Sequence, residues 1–212
     1  MRIMRSSRDP GPFGDTGKYK PHLQRLFRER CAYCLSHEKL MGRFDAMEVD
    51  HFRPKGRPEF AHLRLAWTNL YYCCGRCNRH KSSTWPNPDE EQQGLGFVDP
   101  CEEDPDDHFR LTSDEEGNED CWITSETLAG RYSIAKIRLD RPQLNDIRRD
   151  IARQERARRD QLDSIDGLLS SLGAPAQSAS VFAELEELRE QASKSLQEIQ
   201  ALRPFPLAEK TE

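Results

Sequence analysis

Cys31-Ala-Tyr-Cys34 and Cys74-Gly-Arg-Cys77 bracket Val49-Asp50-His51, and the second pair runs directly into Asn78-Arg79-His80-Lys81. A CxxC turn aims two sulfurs at one point, so two such turns supply the four thiolates of a closed tetrahedral Zn²⁺ site. The gap of 39 residues between Cys34 and Cys74 is longer than a compact zinc ribbon needs, so a further element is inserted between the knuckles. Two disulfides or a redox CxxC are the competing readings. Disulfides need an oxidising compartment, and the opening Met1-Arg2-Ile3-Met4 lacks the apolar run of a secretory leader. A thioredoxin-like site would want a βαβ context, which this pattern does not offer. Structural zinc on Cys31, Cys34, Cys74 and Cys77, in a cytoplasmic protein, is therefore the expectation. Cys73 adjoins Cys74, but the two-residue spacing selects Cys74. Cys101 and Cys121 stand alone and read as packing or surface thiols.

The insert is where other chemistry can sit. Met47 to Lys55 alternates apolar and polar residues and then meets Pro54, so it reads as a short strand entering a loop. Asp50 and His51 are adjacent, which on a strand aims them at opposite faces. Trp67 to Cys74 reads as a turn followed by a second short strand. Asn78 to Thr84 reads as the start of a helix.

This order, Asp-His, then Asn69, then CxxCN-x-x-K, resembles the HNH endonuclease family with its ββα-metal fold, over roughly Cys31 to Pro86. His51-Phe-Arg-Pro-Lys55, Asn69-Leu-Tyr-Tyr-Cys-Cys74 and Cys77-Asn-Arg-His-Lys81 are similar to one branch of it, the Septu-type, PtuB-like nucleases of anti-phage and retron-linked systems. Phe97-Val98-Asp99-Pro100 with Glu103-Asp104-Pro105 and His108 touches the same branch. The resemblance implies that Asp50 is a metal-binding carboxylate and His51 the general base. It implies that Asn69 fixes the loop holding the histidine, that Asn78 replaces the last histidine of the motif, and that Lys81 is a basic position near phosphate. His80 departs from the usual pattern and is an extra candidate for metal or phosphate. An ATPase partner of the SMC/ABC type is implied by the resemblance alone.

Residue chemistry points the same way. Phosphodiester hydrolysis needs an activated water, and a neutral histidine, with an ordinary pKa near ~6.5, can take its proton. Asp and Asn oxygens suit hard Mg²⁺ or Mn²⁺. A closed four-cysteine site has no open position for such work, so two metals with two tasks are expected. Charge is divided along the chain. Residues 1–85 hold 17 Lys+Arg against 8 Asp+Glu, whereas the remainder holds 15 against 29, for a net −5 overall. A basic half joined to an acidic half suits a nucleic-acid-binding domain with an appendage. Arg53, Lys55, Arg57, Arg76, Arg79 and His80 are the candidate nucleic-acid contacts, and DNA is the expected substrate. Arg25 and Arg28 read equally well as the wet face of a helix.

Residues 1–20, rich in Gly, Pro, Ser and Arg, read as a basic flexible arm, and 21–120 as the nuclease domain. Within the latter, His22 to Arg30 reads as a helix with Leu23, Leu26 and Phe27 on one face. The acidic runs Glu102-Glu103-Asp104, Asp106-Asp107 and Asp114-Glu115-Glu116 read as solvated loop. Residues 121–212 read as a helical extension, with a hairpin at about 142–203 broken at Gly173-Ala174-Pro175. Its apolar stripes are narrow, leaving packing on the core, pairing with a second copy, or a partner all open. No membrane-spanning run occurs. The expected fold class is α+β, a zinc-stapled ββα-metal core followed by mostly helix. Two other functions stay open: a non-catalytic zinc-binding adaptor with a degenerate core, and a stand-alone restriction-type nuclease.

Overall fold

A computed structural model describes residues 3, 9–112, 121–172 and 179–204. The acidic run Asp114-Glu115-Glu116 and the Gly173-Ala174-Pro175 break lie outside these residues.

Helix α1 (Lys20–Leu26) starts before and ends earlier than the expected His22–Arg30. Arg28 and Glu29 take left-handed backbone, with φ of 51° and 59°. They do so because the chain must reverse there to deliver the first knuckle. The Glu29 N–H returns to the Gln24 carbonyl (2.8 Å), the Glu38 N–H to the Glu29 carbonyl (2.7 Å), and the Cys31 N–H to the Ser36 carbonyl (3.0 Å). Cys31 and Cys34 thus sit in a small loop closed by the Arg30–His37 bridge.

Strands β1 (Met47–His51) and β2 (Leu70–Cys74) form an antiparallel pair, with Met47 opposite Cys74 and Asp50 opposite Tyr71. Helix α2 (Gly75–Lys81) follows β2 without a loop, so the second CxxC spans the strand end and the first helical turn. This is the expected ββα unit, with the helix beginning at Gly75, earlier than Asn78. All five residues of β2 are buried. Phe27, at the C-terminal end of α1, packs its ring 5.5 Å from Tyr71, and Phe52 stacks on the same ring at 4.8 Å. A strand covered on both faces needs an unbroken apolar run, which Leu-Tyr-Tyr-Cys-Cys provides.

Short helices α3 (Pro88–Gln92) and α4 (Pro105–His108) follow, then an antiparallel pair of three-residue strands, β3 (Arg110–Thr112) and β4 (Trp122–Thr124). Helix α5 (Leu128–Ile137) packs against α2. Helices α6 (Pro142–Leu172) and α7 (Ala179–Gln200) form the hairpin. The α+β expectation with a four-cysteine core and a helical C-terminal region is borne out. At its near end the helical segment is continuous with the core: the Val98 N–H donates to Ser133 Oγ of α5 (2.9 Å). The far end of the hairpin returns too, because Arg30, next to Cys31, donates to the Arg203 carbonyl (2.6 Å) and to the Ala201 carbonyl. Within the first twenty residues, Ile3 is buried with its N–H on the Pro100 carbonyl (2.8 Å), and the Phe13 ring lies 4.9 Å from Tyr19. No helix among the described residues is long and apolar enough to cross a membrane.

Candidate active site

Cys31, Cys34, Cys74 and Cys77 bring their sulfurs within 4.8 Å of one another, all buried. Cys73 is outside this group; its thiol lies 3.8 Å from the Glu48 carbonyl. Four thiolates this close in a dry interior repel strongly unless a cation lies among them. The donor set is all sulfur and fully enclosed, which fits structural Zn²⁺ and leaves no place for substrate. Arg141 donates through Nη2 to Cys77 Sγ at 3.3 Å and approaches Cys74 Sγ at 4.0 Å. Arg148, about two turns further on in α6, is 2% exposed and donates to Asn145 Oδ1 (3.0 Å), while its Nε and Nη2 have no hydrogen-bond partner. Burial pulls its guanidinium down to about 10, so it remains a cation at neutral pH. Two arginines that neither sequence pattern nor spacing singles out therefore bear on the thiolates, Arg141 by contact and Arg148 through its charge.

On the other side of the second knuckle, α2 presents Asn78 and Lys81, one turn apart, to β1. They meet Glu48 and Asp50, which share a strand face by their spacing of two. Asn78 Nδ2 donates to Glu48 Oε2 at 2.6 Å. Lys81 Nζ lies 2.9 Å from Asp50 Oδ2 and 2.8 Å from the His51 carbonyl. Lys81, expected near phosphate, is fully buried. Tyr33, inside the first CxxC, donates its hydroxyl to the same Asp50 oxygen. Burial, and then the Asp50 charge, push the Tyr33 phenol well above its ordinary range, so it stays a donor. Asp50 Oδ1 has no hydrogen-bond partner among the described residues.

His51 points away from this pair. Its Nε2 lies 2.9 Å from the Arg64 carbonyl. A carbonyl only accepts, so Nε2 carries the proton and Nδ1 keeps the lone pair. Burial lowers the His51 pKa, and the Arg64 carbonyl partly offsets it, which favours the neutral ring. Asn69 holds the loop in which this occurs. Its Oδ1 accepts from the Arg53 N–H (2.8 Å), and its Nδ2 donates to the Arg53 carbonyl (3.0 Å) and to the Leu63 carbonyl (3.3 Å). One amide thereby joins the residues following His51 to the residue preceding Arg64.

Residues 31–84 match the family model described as HNH endonuclease. They form an HNH-family domain. A curated relative, Septu protein PtuB of Bacillus mycoides (strain KBAB4), is 28% identical over 170 residues, which cover 69% of this chain and 54% of the relative. The chain thus spans about half the length of that protein. No solved structure gives a significant match.

Around the HNH core the candidate basic residues are placed differently from one another. Arg53, Lys55, Arg76 and Arg79 are exposed. Arg53 also lies over the Trp85 ring at 5.7 Å, and Arg57 is committed to the Trp85 carbonyl at 2.8 Å. Arg76 and Arg79 line an open groove with Glu48, Gly75, Arg141 and Gln143. His80 is half-buried, and burial with Arg141, Arg138, Arg79 and Arg76 lowers its pKa. Asp99 and His108 have structural partners: Asp99 Oδ1 accepts from the Tyr71 hydroxyl (2.6 Å) and the Cys101 N–H (2.9 Å), and His108 lies 2.9 Å from both Glu103 and Thr127. Sequence reasoning missed Tyr33, Glu48, Arg141 and Arg148. Glu48 was recoverable, since strand alternation places it beside Asp50. Tyr33 was recoverable only once the first knuckle was known to touch β1. The arginines lie more than sixty residues from Cys77, and no local signal pairs them with it.

Proposed function

We propose that this protein is a metal-dependent HNH endonuclease that hydrolyses phosphodiester bonds, with DNA as substrate, acting as the nuclease effector of a bacterial anti-phage system. The observation that supports it most is the conjunction at one HNH unit: an Asp50-His51 dyad on β1, an Asn78 on α2 facing that strand, and a histidine whose Nε2 is tied to a carbonyl. In this reading Nδ1 of His51 removes a proton from the attacking water. Asp50 and Asn78 oxygens would hold Mg²⁺ or Mn²⁺, which supplies Lewis-acid polarisation of the phosphate and neutralises the leaving oxygen. Exposed Arg53 and Lys55, next to the base in sequence, bind the backbone phosphates, and Asn69 keeps their loop in register with His51.

The relative named Septu PtuB supports the defence setting, and the resemblance to that branch implies an ATPase partner of SMC/ABC type. Leu168 and Leu172 on α6 and Val181 and Leu188 on α7 are exposed, apolar side chains that a partner or a second copy could cover.

The test is cleavage of plasmid, linear duplex, single-stranded DNA and tRNA with Mg²⁺, with Mn²⁺ and with EDTA. His51→Ala should lose on the order of 10²-fold or more in rate, while zinc content and melting temperature stay those of the wild type. Cleavage within a few-fold of wild type would remove His51 as the base. No cleavage of any of these by wild type, in the presence of its partner, would favour an adaptor.

A further inference from the structure

We infer that Glu48 is the positioning residue for the catalytic metal: it sets the orientation of Asn78. The inference rests on the metal assignment to Asp50 and Asn78 above. A carboxylate at neutral pH only accepts hydrogen bonds. The Asn78 atom 2.6 Å from Glu48 Oε2 must then be the amide nitrogen, which settles the amide's orientation and turns Oδ1 away from Glu48. Oxygen, not nitrogen, is what a hard divalent cation takes. Without an acceptor at this place, neither the amide's orientation nor the position of its side chain is fixed before the cation arrives.

Two further observations converge on the same geometry. The first residue of α2, Gly75, leaves room for the Glu48 carboxylate. A Cβ at Gly75 would stand 2.6 Å from Glu48 Oε1, so with any larger residue there the carboxylate would have to move from its place against the helix start. The neighbouring rung is built the same way. Lys81 and Tyr33 both occupy Asp50 Oδ2, which leaves Oδ1 unshared. Two ligand side chains, one turn and one strand apart, thus each have one polar atom anchored and one oxygen left over. The anchors come from outside the family's motif letters: Glu48 two residues before Asp50, and Tyr33 within the first knuckle. Outer partners of this kind hold ligands in orientation and are worth roughly 10–100-fold in metal affinity.

The experiment is calorimetric titration of the zinc-loaded full chain with Mn²⁺. The variants are Asn78→Ala, Glu48→Ala, Glu48→Gln, Gly75→Ala and the Glu48→Ala/Asn78→Ala double, each checked for one zinc and a wild-type melting curve. Glu48→Ala should weaken Mn²⁺ binding by roughly 10-fold or more. Glu48→Gln, which keeps an acceptor oxygen, should restore binding to within a few-fold. Gly75→Ala should fall with Glu48→Ala although Glu48 is still present. The double variant should be no weaker than Asn78→Ala alone. Glu48→Ala binding like wild type while Asn78→Ala is impaired would overturn the role of Glu48 alone. So would Glu48→Gln as poor as Glu48→Ala, since that makes Glu48 a ligand by its charge. Asn78→Ala binding like wild type would overturn the metal assignment itself, and Glu48's role with it.

Discussion

Lys81 is a charged residue with no exposed surface, and its surroundings explain why that is tolerated. Its ammonium has a carboxylate at 2.9 Å and a carbonyl at 2.8 Å, so two of its three donors are satisfied. Buried pairs of this kind add little net stability, but breaking one leaves the other charge stranded. Lys81→Met should therefore cost about 3–5 kcal/mol in chemical denaturation of the zinc-loaded protein. Lys81→Met combined with Asp50→Asn should recover much of that, because no bare charge remains. A single variant that loses less than about 1 kcal/mol would mean that the pair is solvated in solution. The same reasoning marks Asn69 as more than a motif letter, since its three backbone hydrogen bonds have no substitute in that loop.

At the scale of elements, the four-cysteine centre ties together parts of the chain that share no sequence neighbourhood. The first knuckle follows α1, the second joins β2 to α2, and Arg141, just before α6, reaches the sulfurs of the second. Four thiolates with one Zn²⁺ carry a net charge of −2. Arg141 and Arg148, buried without a carboxylate hydrogen-bonded to them among the described residues, carry the balancing charge. Cys31→Ser or Cys77→Ser should yield zinc-free or insoluble protein, read by elemental analysis against about one zinc in wild type. Arg141→Met leaves every ligand in place, yet should weaken zinc by roughly 10-fold or more in competition with a chromophoric chelator, because its hydrogen bond to Cys77 Sγ is lost. Unchanged affinity would show that its charge serves some other group. Glu155 plays the matching part at the hairpin's base: 2% exposed, it accepts from Arg159 (2.9 Å), Gln200 (3.3 Å) and Arg203, and Arg203 offers its carbonyl to Arg30.

For the whole molecule, the division of charge sets what a long polyanion meets. The HNH unit belongs to the half with a surplus of Lys and Arg, and the hairpin to the half with a surplus of Asp and Glu. Each phosphate neutralised by the basic half releases counterions, so affinity for duplex DNA should fall steeply with salt. Removing Arg53 and Lys55 together, as Arg53→Ala/Lys55→Ala, should flatten the log–log slope of affinity against NaCl by about 2. Fluorescence anisotropy of a labelled duplex measures that slope. Equal slopes would place the backbone elsewhere, with Arg76 and Arg79 in the groove beside Gly75 the next residues to change.

The sequence by itself determined the metal centre and the ββα unit. Spacing is a local property, and two CxxC turns can converge on only a few geometries. Strand alternation from Met47, the Pro54 stop and the apolar run Leu70–Cys74 placed β1 and β2. The order Asp50, His51, Asn69, Asn78 pointed to the family whose model matches residues 31–84. Helix α1 was legible in existence and not in extent. Its end is decided by the turn that delivers Cys31, and a left-handed Arg28 and Glu29 follow from closure of that turn rather than from their own propensities. Only the tertiary structure decided which atoms are free. That Lys81 is inside, that Tyr33 and Lys81 share one Asp50 oxygen, that Asn78 donates to Glu48, and that Arg141 reaches the Cys77 sulfur all depend on side chains meeting across elements. Such meetings are set by packing, burial and the need to satisfy each buried charge, and no residue along the chain states them alone.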